Sequence, residues 1–383
     1  MSVYSGPEIT NDGLVFAYDM GNSQKSWRGA PTTNLLTNGN FSNGVISPFG
    51  TYNVTPVTVS GISPLPYSNY SSNYVMQFTS TTGTSGTSLD VNGKCTVGQT
   101  YTFSFYGRLF TGPSSTVGLS FNNQNGSGDT NAWNSNVTLT NNWQKFTFTF
   151  TYDVAKIMLY FYTSATGYIC QFTDFQLEQL SVSSPFVNGT RTNTQAILDQ
   201  TNNRTVTTNS LTYASDGTFS FNGSTNHITT TNTGITHGTT NFSYSCWAKW
   251  SGKPSLGTLF ENGSWTSSFL IRFETNGITI YSMGAYYGKF SFDPTLNIWY
   301  HLAFVRNGNS IELYVNGVFY SSLAFGTNVD IVPNTNLIFI GMSQHAAGQC
   351  FTGQIAKAQI HNRAISAAEV LNNFNAHRGR FNI

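Results

Sequence analysis

The sequence predicts an all-β protein made of two antiparallel β-sandwich domains, with one short helix near the C-terminus. Its 383 residues suit two domains of about 150–200 residues, each large enough to bury a core. Aromatic residues make up 15% of the chain and charged residues only 9%, against a usual charged share of about 25%. Asn, Ser, Thr and Gly must therefore cover much of the surface, which is typical of sandwiches with aromatic interiors and argues against helical bundles.

The clearest local pattern lies between residues 299 and 323, where apolar and polar side chains alternate through three short runs. Alternation gives each strand one face for a core and one for solvent. The runs are interrupted by Asn307-Gly308 and Asn316-Gly317. Because Asn-Gly supplies the positive φ angles of a type I′ turn, the segment predicts an antiparallel meander of three strands.

The meander is followed by an apolar run at 337–340, a strand at 353–361 and a short helix. Ser366 and Glu369 form a capping box at the helix start, and the expected apolar stripe consists of Ala368, Leu371 and Phe374. This order of parts resembles the end of a LamG-like domain, in the concanavalin A-like lectin and glucanase superfamily. The resemblance implies a sandwich of a class that mostly binds sugars or serves as a virion or cell-surface module, with catalytic carboxylates in a minority.

The start of that domain is predicted near the N-terminus, in the strand-like sequence GLVFAYD at residues 13–19. In phage-type LamG-like sequences such a strand is followed by a Trp, a D-x-[ST]-x-N loop and an F-x-F-[ND]-G strand. Here the matching loop and strand lie far downstream, at 199–203 and 219–223. The resemblance therefore implies an arm at 1–12, a discontinuous LamG-like domain at 13–33 plus 191–383, and an insert at 34–190. The two connectors of the insert are expected to run side by side.

The insert has a pattern of its own. It opens with NLLTNGNF at residues 34–41, closes with FTDFQLE at 172–178, and contains alternating strands at 101–105, 145–150 and 156–162. This start and finish resemble carbohydrate-binding-module-like jelly rolls of polysaccharide-degrading enzymes and phage tail proteins. The following SPFVNGTR resembles the exit of that module in phage tail proteins. The resemblance implies a second sandwich, of the jelly-roll type, inserted into the first.

Charge and hydropathy exclude several classes of partner. With 17 basic and 16 acidic residues, the chain has a net charge of +1 and no electrostatic footprint for nucleic acid. No run approaches the roughly 18–20 apolar residues that span a bilayer, so no membrane insertion is expected. The first residues, MSVYSGPEITNDG, lack the basic and apolar regions of a secretory signal, which predicts synthesis in the cytoplasm.

The sequence predicts a protein without enzymatic activity. Only Glu8 with Asp12, and Asp174 with Glu178, lie within five positions of each other among the acidic residues. On one regular strand, Asp174 and Glu178 would be roughly 13 Å apart, beyond the 5–9.5 Å of paired-carboxylate glycosidases. A G-x-S-x-G elbow, an H-E-x-x-H motif and a glycine-rich phosphate loop are also missing from the sequence.

Sugar binding requires less: aromatic rings that stack on sugar faces and a few polar groups that fix hydroxyl orientation. Aromatic residues in loop or edge contexts are the candidates, with packing or an inter-subunit contact as the alternative for each. They are Trp133, Tyr160, Tyr162, Trp265, Tyr286 and Tyr287. No cofactor is required, although jelly rolls of both classes often hold a structural Ca²⁺. Its candidate oxygen ligands are Asp174 and Asn40 in the insert, and Asp19 and Asn22 in the other sandwich.

These patterns lead to a functional hypothesis. The chain is expected to be a non-enzymatic virion surface protein of a tailed phage, a head fibre, capsid decoration or tail appendage that contacts host-surface glycans. The closing sequence AHRGRFNI resembles an ending of tailed-phage structural proteins. A homo-oligomer, with a trimer as the expected state, would contact other virion proteins after synthesis in the host cytoplasm. The alternatives are a capsid-stabilising decoration protein without sugar binding and a secreted carbohydrate-binding protein.

Overall fold

The computed structural model describes residues 8–67, 70–81, 85–112, 116–124, 133–152, 158–163, 166–213, 218–231, 238–263, 269–325, 337–345 and 348–383. Their regular structure is antiparallel β-sheet, with one α-helix and one 3₁₀ helix near the C-terminus. The predicted all-β fold class with a short C-terminal helix is therefore confirmed. Within these ranges, no helix is long and apolar enough to cross a membrane.

The chain divides into two compact units, Met1–Ala30 with Thr192–Ile383, and Pro31–Arg191. We call them the split unit and the inserted unit. The split unit begins with β1 (Leu14–Asp19). The inserted unit contributes β2 (Thr32–Thr33), β3 (Phe49–Tyr52), β4 (Val57–Ser60), β5 (Tyr74–Thr79), β6 (Ser85–Asp90), β7 (Thr100–Thr111), β8 (Thr116–Gln124), β9 (Trp133–Thr140), β10 (Gln144–Thr151), β11 (Met158–Thr163), β12 (Ile169–Glu178) and β13 (Thr190–Arg191).

The split unit resumes after the inserted unit. Its remaining elements are β14 (Val206–Asn209), β15 (Thr212–Tyr213), β16 (Phe219–Asn222), β17 (His227–Thr231), β18 (Phe242–Trp250), β19 (Leu256–Asn262), β20 (Phe269–Glu274), β21 (Ile278–Ser282), β22 (Ala285–Phe290), β23 (Trp299–Asn307), β24 (Ser310–Val315), β25 (Val318–Ala324), β26 (Leu337–Ile340), β27 (Thr352–His361), α1 (Ala367–Asn375) and the 3₁₀ helix (Arg378–Phe381).

Two sheets form the split unit. The first has the order β15-β16-β27-β18-β23-β24-β25, with β1 paired to β27, and the second has the order β14-β17-β26-β19-β20-β21-β22. Side chains from both sheets form a single core cluster. Its fully buried members include Phe16, Tyr244, Phe260, Phe304 and Ile355. A core shared by two antiparallel sheets is the arrangement of a β-sandwich.

The loop at 199–203 joins β1 to the rest of the split unit. The Asp199 carboxylate accepts hydrogen bonds from the Ala17 amide at 3.1 Å and from the Thr201 hydroxyl at 2.6 Å. The Gln200 amide in turn donates to the Ala17 carbonyl at 2.8 Å. Ala17 and Asp199 are both buried. The Asp and Thr of the sequence motif therefore satisfy the backbone of a strand that lies 182 positions earlier in the chain.

The predicted meander is formed by β23, β24 and β25. Its second turn is as expected, since Asn316 and Gly317 have φ values of 50° and 80°. The first turn lies one residue later than expected, because Asn307 still pairs with Ser310 in the ladder. Gly308, with φ 59°, therefore opens this loop. The positive φ falls on the glycine, which tolerates it best.

Helix α1 begins with the predicted capping box, in which the Ser366 hydroxyl accepts from the Glu369 amide and the Glu369 carboxylate accepts from the Ser366 amide. The apolar stripe differs from the expectation. Val370 and Phe374 are buried, whereas Ala368 is exposed and Leu371 is 44% exposed. The buried positions are four residues apart and therefore share one helix face. Leu371 lies about 100° around the helix from Val370, so it is outside that face.

The inserted unit consists of two five-stranded sheets, with the orders β10-β7-β12-β5-β4 and β3-β6-β11-β8-β9. Buried aromatic rings fill its core, among them Phe41, Phe103, Phe105, Phe172 and Phe175. Strands β2 and β13 pair where the chain enters and leaves this unit. In the split unit, Trp27 and Ile197 form an isolated antiparallel bridge. The two connectors thus run side by side.

Candidate functional site

The candidate site lies on the outer face of the inserted unit, meaning the side of the sheet β10-β7-β12-β5-β4 that faces away from the core. Along β7, β12 and β5 every second side chain belongs to the core, so the residues between them form this face. Gln77, Gln171 and Arg108 occupy directly opposed positions on the three adjacent strands β5, β12 and β7. They form one polar row across the sheet.

The row is a continuous chain of hydrogen bonds. The Gln171 amide nitrogen donates to Gln77 Oε1 at 2.8 Å, and Gln171 Oε1 accepts from Arg108 Nε at 2.9 Å. The first bond fixes which end of the Gln171 amide faces the arginine. The guanidinium is therefore held in one orientation, with its two terminal nitrogens directed away from the row.

Arg108 is almost completely enclosed, with a relative exposure of 2%. Both terminal nitrogens donate to the Ser63 carbonyl oxygen at 3.2 Å. The guanidinium carbon lies 4.7 Å from the ring centre of Trp143 and 5.2 Å from that of Phe110. Burial lowers the pKa of Arg108 below its usual value. Its contacts with described residues are thus neutral acceptors and ring faces.

Residues 61–67, which we call the strap, cross the outer face above this row. The Pro64 carbonyl accepts from the Trp143 indole at 2.9 Å, next to the Ser63 contact with Arg108. At the other end of the strap, the Tyr67 hydroxyl donates to Asp174 Oδ2 at 2.5 Å. Leu65, between these contacts, is 50% exposed. Hydrogen bonds to the sheet therefore hold the strap, while its middle faces solvent.

Asp174 occupies an irregular position in β12, where the register with β7 shifts between Thr173 and Gln176. Its φ is 54° and its exposure 3%. Burial raises the pKa of Asp174 to about 6, although the Tyr67 and Thr173 hydroxyls act in the opposite direction. The described residues contain no group of three His, Cys, Asp or Glu side chains that could hold a metal ion. Calcium at Asp174 and Asn40 stays a prediction.

The exit segment of the inserted unit closes the other end of the outer face. The Glu178 carboxylate, fully buried, accepts from the Ser184 amide and from the Ser184 hydroxyl, both at 2.8 Å. Gln176 donates to Glu178 at 2.8 Å and accepts from the Val187 amide at 2.7 Å. Glu178 thus holds the SPFVNGTR segment in place, and its oxygens are already occupied by protein donors.

The aromatic residues named from the sequence fall into two groups. The structure does not describe the side chains of Trp133, Tyr160 and Tyr162, which belong to β9 and β11. Trp265 lies wholly outside the described residues. Tyr286 and Tyr287 are described, on β22 of the split unit. Tyr286 is 58% exposed, whereas the Tyr287 ring packs on Phe325 with 4.7 Å between ring centres. Tyr286 is thus the more exposed ring of this pair.

Tyr286 belongs to a polar patch on the second sheet of the split unit. Its ring centre lies 5.5 Å from that of Tyr281, and the Arg272 guanidinium lies 4.9 Å from the Tyr281 ring centre. Arg272 forms a 3.1 Å ion pair with Glu274, whose Oε2 also accepts from Tyr281 at 3.3 Å. The Arg272 side chain therefore has an acidic partner, whereas the described residues supply none for Arg108 in the inserted unit.

Asp19, named from the sequence as a calcium ligand, lies among basic groups. Its carboxylate is 3.4 Å from Lys357 Nζ and 3.2 Å from His377 Nε2, and it also pairs with Arg380. The His377 hydrogen bond and these charges hold the pKa of Asp19 well below its usual range, against the opposing effect of burial. Three basic neighbours repel a further cation. Asn22 is engaged separately, accepting from the Lys25 amide at 2.8 Å.

Arg108, Gln171, Gln77 and the strap do not stand out in the sequence as site residues. Arg108 and Gln171 carry only a weak signal, because each is one of several polar residues that alternate with apolar residues along its strand. Which polar residues meet across the sheet depends on strand register, and here the register contains two shifts in β12. The strap has no periodic pattern, so only the fold places it over the row.

Two family models match the chain. Residues 33–167 match the model described as a carbohydrate binding domain, and residues 221–371 match the model of the concanavalin A-like lectin/glucanases superfamily. Both kinds of domain named in the sequence analysis are thus found, one in each unit. A comparison with curated proteins found no match.

Several solved structures are similar to parts of the chain. The botulinum neurotoxin serotype D binding domain is 17% identical, with a TM-score of 0.40, and the match covers 49% of this chain and 50% of that one. This chain thus spans about half the length of that structure. Domain 4 of a GH43 extracellular arabinanase from Geobacillus stearothermophilus, in complex with arabinotriose, is 23% identical (TM-score 0.37), covering 46% and 91%. The CBM22-1 xylan-binding domain from Paenibacillus barcinonensis is 18% identical (TM-score 0.32), covering 41% and 99%.

Proposed function

We propose that the chain is a non-catalytic glycan-binding protein and that the inserted unit binds the sugar on its outer face. One observation carries this proposal. In a unit that matches a carbohydrate binding domain, a row of oriented amide and guanidinium groups lies beside the aromatic rings of Phe110 and Trp143. Phe110 is 49% exposed and thus available at the rim.

The chemistry of the outer face suits a saccharide. Sugar hydroxyls both donate and accept hydrogen bonds, so they need partners whose donor and acceptor ends are fixed in advance. The chain of bonds from Gln77 to Arg108 provides that order. Exposed aromatic rings cover the apolar C–H faces of a sugar. The buried carboxylate Glu178 is engaged by Ser184, which leaves it poorly suited to act as a catalytic acid or base.

Electrophoresis of the full chain through gels that contain soluble polysaccharides tests this proposal. The protein should be retarded by at least one polysaccharide and should release no reducing sugar from it. Replacing Phe110 by Ala should weaken retention about tenfold or more, because a stacking ring is removed. Val97→Ala, at a site 55% exposed in the same unit, is the matched control and should behave as wild type. Absence of retention by every polysaccharide would overturn the proposal.

We further propose that the protein acts on the surface of a tailed-phage virion, as a head fibre, capsid decoration or tail appendage. This role is supported by the resemblance of the GLVFAYD strand, the insert and its exit to phage proteins. Detection of the chain in purified particles by mass spectrometry tests it. Accumulation of free protein in the culture fluid, with none in particles, would favour the secreted carbohydrate-binding alternative. Particle-bound protein without glycan retention would favour a purely stabilising decoration.

A homo-oligomer, with a trimer as the preferred state, is part of this proposal. Its support is the edge strand β25, where Val318, Phe319 and Tyr320 are 66%, 53% and 45% exposed. Consecutive exposed apolar residues on a sheet edge are a surface that another copy can cover. Native mass spectrometry should show an oligomer that Phe319→Lys dissociates and the control Val97→Lys does not. A wild-type chain that is monomeric at every concentration would contradict this assembly.

A further inference from the structure

We propose that the sugar bound by the inserted unit is acidic, and that Arg108 binds its carboxylate, as in a uronic or sialic acid. This inference rests on the proposed glycan-binding function and adds the class of ligand. It starts from Arg108, a buried charge for which the described residues supply no carboxylate partner.

Arg108 is a buried cation, with a relative exposure of 2%. In the part of the chain that the structure describes, no carboxylate forms an ion pair with it, and burial alone accounts for the lowering of its pKa. Removing an arginine from water is costly unless an anion and good hydrogen bonds compensate. Neutral sugars need only neutral donors, which Gln or Asn would supply without that cost. A permanent buried charge is therefore better explained by an anionic ligand.

The two terminal nitrogens of the guanidinium form the edge at which a carboxylate would replace the strap. Nε is bound to Gln171 at 2.9 Å, and Gln171 is itself fixed by Gln77. Both terminal nitrogens converge on one oxygen, the Ser63 carbonyl, at 3.2 Å. A carboxylate would offer each nitrogen its own oxygen in two parallel bonds, and such charge-assisted bonds are shorter, about 2.7–2.9 Å. The Ser63 carbonyl thus occupies the position that a carboxylate would take, but it offers one oxygen to the two nitrogens instead of two.

The ligand reaches Arg108 when the strap moves aside. The strap contacts this end of the face through the carbonyls of Ser63 and Pro64. Both residues are exposed, so water can solvate these carbonyls once they are released. Breaking the two contacts therefore costs little compared with the gain of two parallel charge-assisted bonds between the guanidinium and a carboxylate. The rings of Phe110 and Trp143 then flank the bound carboxylate group.

A rival explanation is that Arg108 only anchors the strap. The two explanations differ in what a change of charge does to ligand choice. An anchor makes no distinction between a carboxylate and its methyl ester, whereas a carboxylate receptor does. They also differ in the effect of loosening the strap, which should help an acidic ligand only if the strap competes with it.

The experiment measures binding of the full chain to matched ligand pairs by isothermal titration calorimetry. The pairs are oligogalacturonate with its fully methyl-esterified form, and sialyllactose with lactose. At least one acidic member should bind about tenfold or more tightly than its neutral counterpart, and the preference should fall as salt rises. Arg108→Gln should remove the preference. Arg108→Lys should retain part of it, because the charge stays but the paired bonds are lost.

A second variant keeps Arg108 and tests the strap. Tyr67→Phe removes the hydroxyl that fastens the other end of the strap to Asp174, while Arg108 and the rings of Phe110 and Trp143 are unchanged. It should bind the acidic ligand at least as tightly as wild type, whereas Val97→Ala should change nothing. Equal binding of both members of each pair would overturn the acidic-ligand inference while supporting glycan binding. Absence of binding to any saccharide, acidic or neutral, would overturn the proposed function itself.

Discussion

Asp174 shows how the fold sets the chemical state of a single side chain. Its carboxyl group is 3% exposed and accepts from the Tyr67 hydroxyl. Burial raises its pKa from 3.8 to about 6. A folded-state pKa above the unfolded value means that the stabilising contribution is fully present below about pH 4. It is lost as the pH rises through about 6, because the ionised form is poorly solvated.

Replacing Asp174 by Asn should therefore stabilise the inserted unit at pH 8, by roughly 1–3 kcal/mol, and leave its stability unchanged near pH 4. Asn keeps an acceptor for Tyr67 and tolerates the φ of 54°. Differential scanning calorimetry of the full chain at both pH values measures this. Asp90→Asn, at an exposed position in the same unit, should show neither effect. Destabilisation by Asp174→Asn at pH 8 would contradict the raised pKa.

At the residue scale, the sequence identified some members of the candidate site and missed their partners. Asp174 stands out in the closing motif of the insert, but Tyr67, which contacts it, is 107 positions away. Arg108 is recognisable as a charged residue in an alternating strand, yet its burial depends on the strap and on Trp143. Contacts between distant positions follow from strand register, which the residue pattern of one strand does not specify.

At the scale of elements, the C-terminal segment is joined to β1 by a cluster of charges. Asp19, at the end of β1, pairs with Lys357, His377 and Arg380. Lys357 is 2% exposed, and burial lowers its pKa to about 8 even though Asp19 acts in the opposite direction. The Phe381 ring stacks on Trp247 with 4.2 Å between ring centres. The last turn of the chain is thus held by ionic and aromatic contacts.

Replacing Asp19 by Asn should destabilise the split unit by about 3–5 kcal/mol at pH 7, because Lys357 would remain buried without its counter-ion. Adding Lys357→Met to this variant should recover part of the loss. Urea unfolding followed by tryptophan fluorescence measures both effects. The control is Asp293→Asn, which removes a solvent-exposed pair with Lys253 and should cost less than about 1 kcal/mol. Equal losses for the two single variants would contradict a buried ionic contact.

Elements with a strong local signal were predicted well from the sequence. The meander follows from alternation and Asn-Gly turns, and α1 from its capping box. The errors concern features that depend on strand pairing and packing rather than on the local sequence. The first turn of the meander lies one residue later because the Asn307–Ser310 pair extends the ladder. Leu371 is exposed because the sheet contacts the helix face that contains Val370 and Phe374.

At the scale of the whole molecule, the first strand of the split unit precedes the inserted unit in the sequence, whereas its other strands follow it. Strand β1 pairs with β27 and buries Phe16, Ala17 and Tyr18. The Asp199 loop completes its hydrogen bonds. The displaced sequence motif pointed to this discontinuity because a strand and its following loop were separated. The arrangement of side chains on the outer face required the structure.

The discontinuity predicts how fragments behave. Residues 31–191 expressed alone should unfold in one cooperative transition, since their core and both sheets lie within that range. Residues 192–383 alone should lack a cooperative transition, because β27 loses its β1 partner and the core loses Phe16 and Tyr18. Calorimetry of the two fragments and the full chain measures this. A 192–383 fragment that melts as cooperatively as the full chain would contradict a discontinuous unit.

We have proposed that the outer face of the inserted unit binds glycans and that the chain does not cleave them. A glycan array probed with the full chain tests this proposal. We expect retention on glycans with terminal or backbone carboxylates, loss of that retention in Arg108→Gln, and wild-type retention in Val97→Ala. Reducing-sugar assays on the retained glycans should show no product. Retention on no glycan, or the release of reducing ends, would contradict the account.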